Sequence, residues 1–229
     1  MDLQASTLQG EGYHIRADKG PDTCPRCHRS IHPKLIAASI IVKQGITQAI
    51  FKCTHHSCEE VFIANYATPS PRNGATNPSS FLSTAPKSAL PSNFPEAIVE
   101  CSPTFVQIYD QAIAAESNDL DQIVGIGMRK ALEFLIKDYV CLENPDKTEA
   151  IKKTLLGKCI DEYILDSNVK ACAKRATWLG NDETHYVRKW TDQDINDLKR
   201  LIKLTVNWID NALTTKKYLS AMPDPAVIT

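Results

Sequence analysis

Residues 24–58, CPRCHRSIHPKLIAASIIVKQGITQAIFKCTHHSC, decide how the amino-terminal part of this chain folds. Cys24-Pro-Arg-Cys27 is a C-x2-C knuckle, and Cys53-Thr-His-His-Ser-Cys58 supplies a second pair after 25 intervening residues. Zinc favours four soft ligands in a tetrahedron. A short C-x2-C turn lets two thiolates share one ion while backbone amides of the turn point at the sulfurs. The spacing predicts a zinc ribbon in which Cys24, Cys27, Cys53 and Cys58 hold one Zn2+. The looser C-x4-C spacing leaves His55 or His56 able to replace one thiolate, and His28 is a further spare. A closed four-ligand site has no open position for water or substrate, so the expected ion is structural and not catalytic.

Working outward, LIAASIIV (35–42), TQAIFK (47–52) and EVFIANY (60–66) are short β-rich runs broken by Lys43–Gly45 and by the second cysteine pair. They predict a three-stranded antiparallel sheet, with residues 1–66 forming the ribbon and an amino-terminal extension. Three short strands bury too little apolar area to fold unaided, so a metal would supply folding free energy. Residues 67–93, ATPSPRNGATNPSSFLSTAPKSALPSN, have the composition of an extended linker, with Phe81 and Leu82 as a candidate docking pair.

Beyond the linker the apolar period changes to that of helices. Ser102-Pro103 reads as an N-cap and first turn, followed by Phe105, Ile108, Tyr109, Ala112 and Ile113 on one face. A second helix carries Leu120, Ile123, Val124, Met128, Ala131, Leu132, Leu135, Ile136 and Tyr139. Shorter helices are expected over 147–163 and 167–179, and Thr191 with Asp194 resembles a capping box opening a last helix. Leu179-Gly180-Asn181 reads as a helix end with glycine in the left-handed conformation. The fold class is therefore α+β: a small amino-terminal β zinc ribbon, then an all-α bundle of four or five helices over 94–219, then a frayed tail over 220–229.

Composition narrows the function. Residues 1–92 carry nine Lys and Arg against six Asp and Glu, and the formal net charge of the whole chain is −1. A zinc ion held by four thiolates would remove most of the amino-terminal positive excess, so charge gives phosphate binding little support. Arg26, Arg29, His32 and Lys34 are the best placed for phosphate contact. The first twenty residues are polar and there is no long apolar run, which predicts a cytoplasmic protein with no membrane span. The remaining cysteines, Cys101, Cys141, Cys159 and Cys172, lack metal spacing and read as buried small hydrophobes.

Two polar features of the helical half draw notice. Arg129 and Glu133 stand one turn apart beside the apolar stripe and can pair. The loop Gly180-Asn181-Asp182-Glu183-Thr184-His185 could bring Asn181 and His185 to meet Arg129, making Arg129, Glu133, Asn181 and His185 the candidate binding residues of this half.

The segment from about Pro103 to Leu213 resembles the family known as domain of unknown function 4145. The likeness rests on Pro103 with Ile108-Tyr109 and Ala112. It rests also on Gly125-x-Gly127-x-Arg129-Lys130-Ala131-Leu132-Glu133 with Lys137-Asp138-Tyr139, and on Leu179-Gly180-Asn181-x3-His185. A preceding cysteine-knuckle segment also fits. That family is similar to the HEPN group of helical bundles, whose active members are ribonucleases with an Arg-x4–6-His motif, and its domains occur with bacterial restriction and phage-defence enzymes. The resemblance implies a HEPN-like bundle and a place in prokaryotic defence. Arginine would steady a phosphate and histidine would move a proton, often across a dimer. This chain departs from the motif: where its arginine would stand are Gly180, Leu179 and Trp178, and the nearest upstream arginine is Arg175.

The expected function is thus a non-catalytic zinc-binding interaction module of a restriction or phage-defence system. It would bind a protein partner, a second copy through the helical bundle, or nucleic acid. The alternative is a metal-independent HEPN-type ribonuclease using His185 and Arg129.

Overall fold

Alternation of buried and exposed side chains begins at the amino terminus itself. In the computed structural model, which describes residues 1–69 and 78–223, the chain divides into two units, Met1–Leu90 and Pro91–Thr229. The first unit contains β1 (Asp2–Ser6), β2 (Gly12–Arg16), β3 (Lys34–Ile41), β4 (Ile46–Lys52), β5 (Val61–Ala67) and β6 (Ser80–Ala85). They form one sheet in the order β2-β1-β3-β4-β5-β6. Every neighbouring pair is antiparallel except β1 with β3.

The expected three strands are β3, β4 and β5, and the sheet has three more. Residues 2–16 form a hairpin in which Leu3, Ala5 and Ile15 are buried. The stretch expected as a linker contributes β6, whose Phe81 packs edge-on against buried Tyr66 with ring centroids 5.7 Å apart. Leu82, its expected docking partner, is instead exposed. Of that stretch, residues 70–77 lie outside the described residues.

The two edges of the sheet meet. Ser79, just before β6, donates its amide to Arg16 O at 2.7 Å and accepts from the Asp18 amide at 2.9 Å. The Asp18 carboxylate accepts from the Phe81 amide at 3.0 Å. Strand edges with unpaired amides invite aggregation, and this curling covers them at one end. The interior holds Leu3, Ala5, Ile15, Ala38, Ile40, Ala49, Phe51, Phe62, Ala64 and Tyr66.

The second unit is all helical: α1 (Glu96–Cys101), α2 (Pro103–Ser117), α3 (Asp121–Glu143), α4 (Thr148–Lys153), α5 (Leu156–Tyr163), α6 (Ser167–Asp182) and α7 (Ile195–Ala221). The apolar stripe of α3 lies at the centre of its core, with Met128, Ala131, Leu132, Leu135 and Ile136 fully buried. The count exceeds the expected four or five. A short α1 precedes the Pro103 start, and the expected helix over 147–163 breaks at Thr154 into α4 and α5.

Three local expectations need correction. Ser102 occupies the N-cap of α2, yet its hydroxyl caps nothing and instead donates to the Asp138 carboxylate. The capping box of α7 pairs Asp194 with Asp197, not Thr191 with Asp194. Gly180 does not end a helix: it is buried inside α6, where α3 leaves no room for a side chain. The last helix runs to Ala221, and of the tail expected to fray, residues 224–229 lie outside the described residues. No described helix is long and apolar enough to cross a membrane.

Candidate metal centre

The register of the sheet explains why two distant cysteine pairs meet. Lys34, at the start of β3, pairs with Lys52 at the end of β4, and Lys52 pairs with Val61 at the start of β5. The segment entering β3 and the β4–β5 turn therefore lie at the same end of the sheet. The first carries Cys24 and Cys27, and the second carries Cys53 and Cys58.

Each knuckle is a closed hairpin in its own right. Ile31 donates to Asp22 O at 2.8 Å, Cys24 to Arg29 O at 3.0 Å, and His28 to Cys24 O at 2.8 Å. In the second, Cys53 donates to Glu60 O at 2.9 Å and Glu59 to His55 O at 3.1 Å, which extends the β4–β5 ladder past its last pair. His28 and Glu59, each directly after the second cysteine of its knuckle, both have left-handed backbone, with φ of 57° and 52°. That conformation costs a non-glycine residue about 1 kcal/mol or more, so the turns are held by what surrounds them.

The four sulfurs form one cluster, all within 4.8 Å of one another. Cys24 Sγ lies 4.0 Å from Cys58 Sγ, and Cys27 Sγ lies 3.9 Å from Cys53 Sγ. These spacings are far beyond a sulfur–sulfur bond of ~2.05 Å, so the groups are unbonded thiols. They are close to the edge of about 3.8 Å for a tetrahedron whose sulfurs sit ~2.3 Å from a central ion. The site can hold a metal ion.

Backbone amides complete the sulfur environment with a repeated pattern. The Arg26 amide faces Cys24 Sγ at 3.4 Å and the His55 amide faces Cys53 Sγ at 3.4 Å. The amides of Arg29 and Glu60 do the same for Cys27 and Cys58. Each sulfur thus receives the N–H two residues further on, which favours its thiolate. At Cys27 the Arg29 amide prevails and lowers the thiol pKa. Burial instead pushes Cys53 up to about 12. At Cys58 the Glu60 amide lowers the pKa, but burial and the neighbouring thiols leave it raised. A cation entering the cluster must therefore displace protons, and its affinity rises with pH.

None of the spare histidines belongs to the cluster. His55 stacks on His56 with centroids 4.6 Å apart, takes a hydrogen bond from Arg29, and lies 2.9 Å from Ser57 Oγ. His28 Nε2 lies 2.6 Å from Ser88 O, and Ser88 Oγ donates to Pro25 O at 2.7 Å. Ser88, in the stretch expected as a linker, therefore ties down the first knuckle. The basic residues expected beside it are partly spoken for, since Arg26 meets Glu60 at 3.7 Å and Arg29 meets His55.

In the helical unit, Arg129 Nε donates to Asn181 Oδ1 at 3.0 Å and its Nη1 to Glu133 Oε2 at 3.1 Å. Lys137, one turn further along α3, reaches the other Glu133 oxygen at 2.7 Å. Burial alone would raise the Glu133 pKa, but the bonds and charges of Lys137 and Arg129 outweigh it and hold the carboxyl below its ordinary 4.5. His185 stands apart: it is exposed and its ring makes no hydrogen bond or ion pair among the described residues. Sequence reasoning missed Lys137 as a member of this network, although its i+4 spacing from Glu133 was a readable signal. It also missed Asp182, which is buried and accepts from the amides of Lys189 at 2.8 Å and Trp190 at 2.7 Å. Of the other cysteines, Cys159 is fully buried and burial lifts its thiol to about 11, a poor nucleophile. No family model, no curated protein and no solved structure matches the chain.

Proposed function

We propose that this chain is a non-catalytic, zinc-stapled interaction module. Its cysteine cluster holds one structural Zn2+, and the protein acts by binding a protein or nucleic-acid partner, in keeping with the restriction and phage-defence setting of the family it resembles. The carrying observation is the closed cluster: four sulfurs at tetrahedral spacing, each with its own backbone amide. An ion saturated by four thiolates has no position left for water, so it organises structure and performs no hydrolysis. Thiolate-only coordination with no carboxylate favours zinc over magnesium or calcium.

The helical side favours this reading over the ribonuclease. Arg129 is already committed to Asn181 and Glu133, and among the described residues His185 has no partner that would orient it as an acid or base. The test is direct. Purified protein should carry one zinc per chain and leave single-stranded RNA uncut, with or without chelator, and His185→Ala should change neither result. RNA cleavage that persists in chelator and vanishes in His185→Ala would replace this reading with the HEPN-type ribonuclease.

A further inference from the structure

The helical unit presents two half-exposed tryptophans beside each other. Trp178, on α6, and Trp190, in the loop between α6 and α7, stack with centroids 6.0 Å apart and planes within 6°. They line an open cavity of about 380 Å³ together with Arg175, Leu179, Gln193 and Leu201. Exposed tryptophan is costly in water, and large aromatics left at a surface beside a cavity mark recognition sites.

The arrangement is built and not incidental. The buried Asp182 carboxylate holds the amides of Lys189 and Trp190, which fixes the backbone that carries the Trp190 ring. Arg188 pins the same loop from the other side, reaching Glu183 at 2.8 Å and Gln193 O at 2.8 Å. Arg175 and Trp178 are neighbours on one face of α6, with the guanidinium 5.9 Å from the ring centroid. Arg175 bonds only to Ala171 O of its own helix, and among the described residues no carboxylate neutralises it.

The chemistry selects an occupant. Two parallel indoles at this spacing are too close to admit a planar group between them, which would need about 7 Å at van der Waals contact. The stacked pair therefore offers a ligand its outer aromatic surface and no slot between the rings. The cavity's two polar side chains are the Arg175 guanidinium, which favours an anion, and the Gln193 amide, which both donates and accepts. A cationic ligand would be repelled by Arg175. We infer that this pocket binds a nucleotide unit, with the base stacked on the outer surface of the Trp178–Trp190 pair, its edge at Gln193 and its phosphate on Arg175. It gives the proposed interaction role a ligand and rests on that role.

Tryptophan fluorescence of the full-length, metal-loaded protein reads this pocket, with Trp208 as background. Titration with a short single-stranded oligodeoxynucleotide of mixed sequence should give saturable quenching. The corresponding duplex, whose base faces are hidden, should not. Trp190→Ala should weaken binding about tenfold or more, and Trp190→Phe should restore most of it. Arg175→Gln should weaken binding and make it less salt-dependent by about one phosphate contact. Adenosine 5′-monophosphate that quenches as strongly as the oligonucleotide would assign the pocket to free nucleotides, and quenching by the strand alone would assign it to single-stranded nucleic acid. No quenching by either, or binding unchanged in a folded Trp190→Ala protein, would overturn the inference. A failed titration on protein that still carries one zinc removes the nucleotide but not the module. A metal-free, native chain removes the module itself.

Discussion

At Gly180 a hydrogen stands where any side chain would collide with the stem of Arg129, since an added Cβ would lie 2.8 Å from both Arg129 Cβ and Cδ. Gly125 does the same for the loop, with its Cβ position 2.3 Å from Glu183 Cγ. The glycines that sequence reading assigned to a helix end and a family motif are thus contact points that let α3 lie against α6 and the segment after it. Gly180→Ala gains helix propensity of up to ~1 kcal/mol but overpacks a buried contact, and the net expectation is destabilisation by about 1–2 kcal/mol in chemical denaturation. The same close approach delivers Arg129 to Asn181. Glu133, held between Arg129 and Lys137, carries a testable pH signature. Its folded pKa lies below the ordinary 4.5, so its contribution is fully present above that value and is lost as pH falls through the lower, folded pKa. Glu133→Gln should therefore cost about 1 kcal/mol at neutral pH, after allowance for solvent screening of a half-exposed group. The difference from the parent should shrink on acidification below about pH 4.5. Among the cysteines, Cys53→Ser removes a buried ligand and should abolish stoichiometric zinc binding and lower stability by more than about 3 kcal/mol, whereas Cys172→Ser should leave zinc content unchanged.

Elements with a strong period were legible before any coordinates, and those with a weak one were not. The α3 stripe, read from Leu120 to Tyr139, is buried from Val124 to Val140 while Leu120 and Ile123 are exposed, and β4 stands where the sequence placed it, burying Thr47, Ala49 and Phe51. By contrast β1 shows only Leu3 and Ala5 as buried residues within DLQAS, and β2 only Ile15 within GYHIR, so polar content masked a hairpin. β6 reads SFLSTA, a composition shared with linkers, and nothing local says that it will pair with β5 and close against Arg16 and Asp18. Its strand identity comes from tertiary pairing. The cysteine cluster was legible for a different reason: cysteine spacing is a chemical signal that survives without periodicity. The indole pair was not, because Trp178 and Trp190 are twelve positions apart in sequence and are joined by the Asp182 carboxylate, whose role depends on the loop it folds. These differences predict where the first unit can be cut. A fragment ending at residue 66, the boundary the sequence suggested, lacks β6 and Ser88 and should aggregate or stay unfolded by amide-dispersion NMR. A fragment of residues 1–90 should fold when zinc is supplied.

Across the whole molecule, the sheet changes what the proposed metal would be required to do. Three strands would have depended on a staple. Six strands whose edges meet have an apolar interior of their own, into which Cys24 and Cys53 project with 0% and 1% exposure. A bound ion's contribution would then be concentrated at one end of the sheet, where it would join the segment entering β3 to the β4–β5 turn and offset the left-handed strain at His28 and Glu59. Chelation should accordingly lower the thermal midpoint and raise amide exchange first in residues 22–31 and 53–60, before the strand interiors open. The central claim is that four sulfurs share one ion. Zinc-edge X-ray absorption on the purified, untreated protein tests it most directly: the account predicts one zinc per chain in a shell of four sulfurs near 2.3 Å. A metal-free native protein, or a first shell containing nitrogen or oxygen in place of any sulfur, would contradict it.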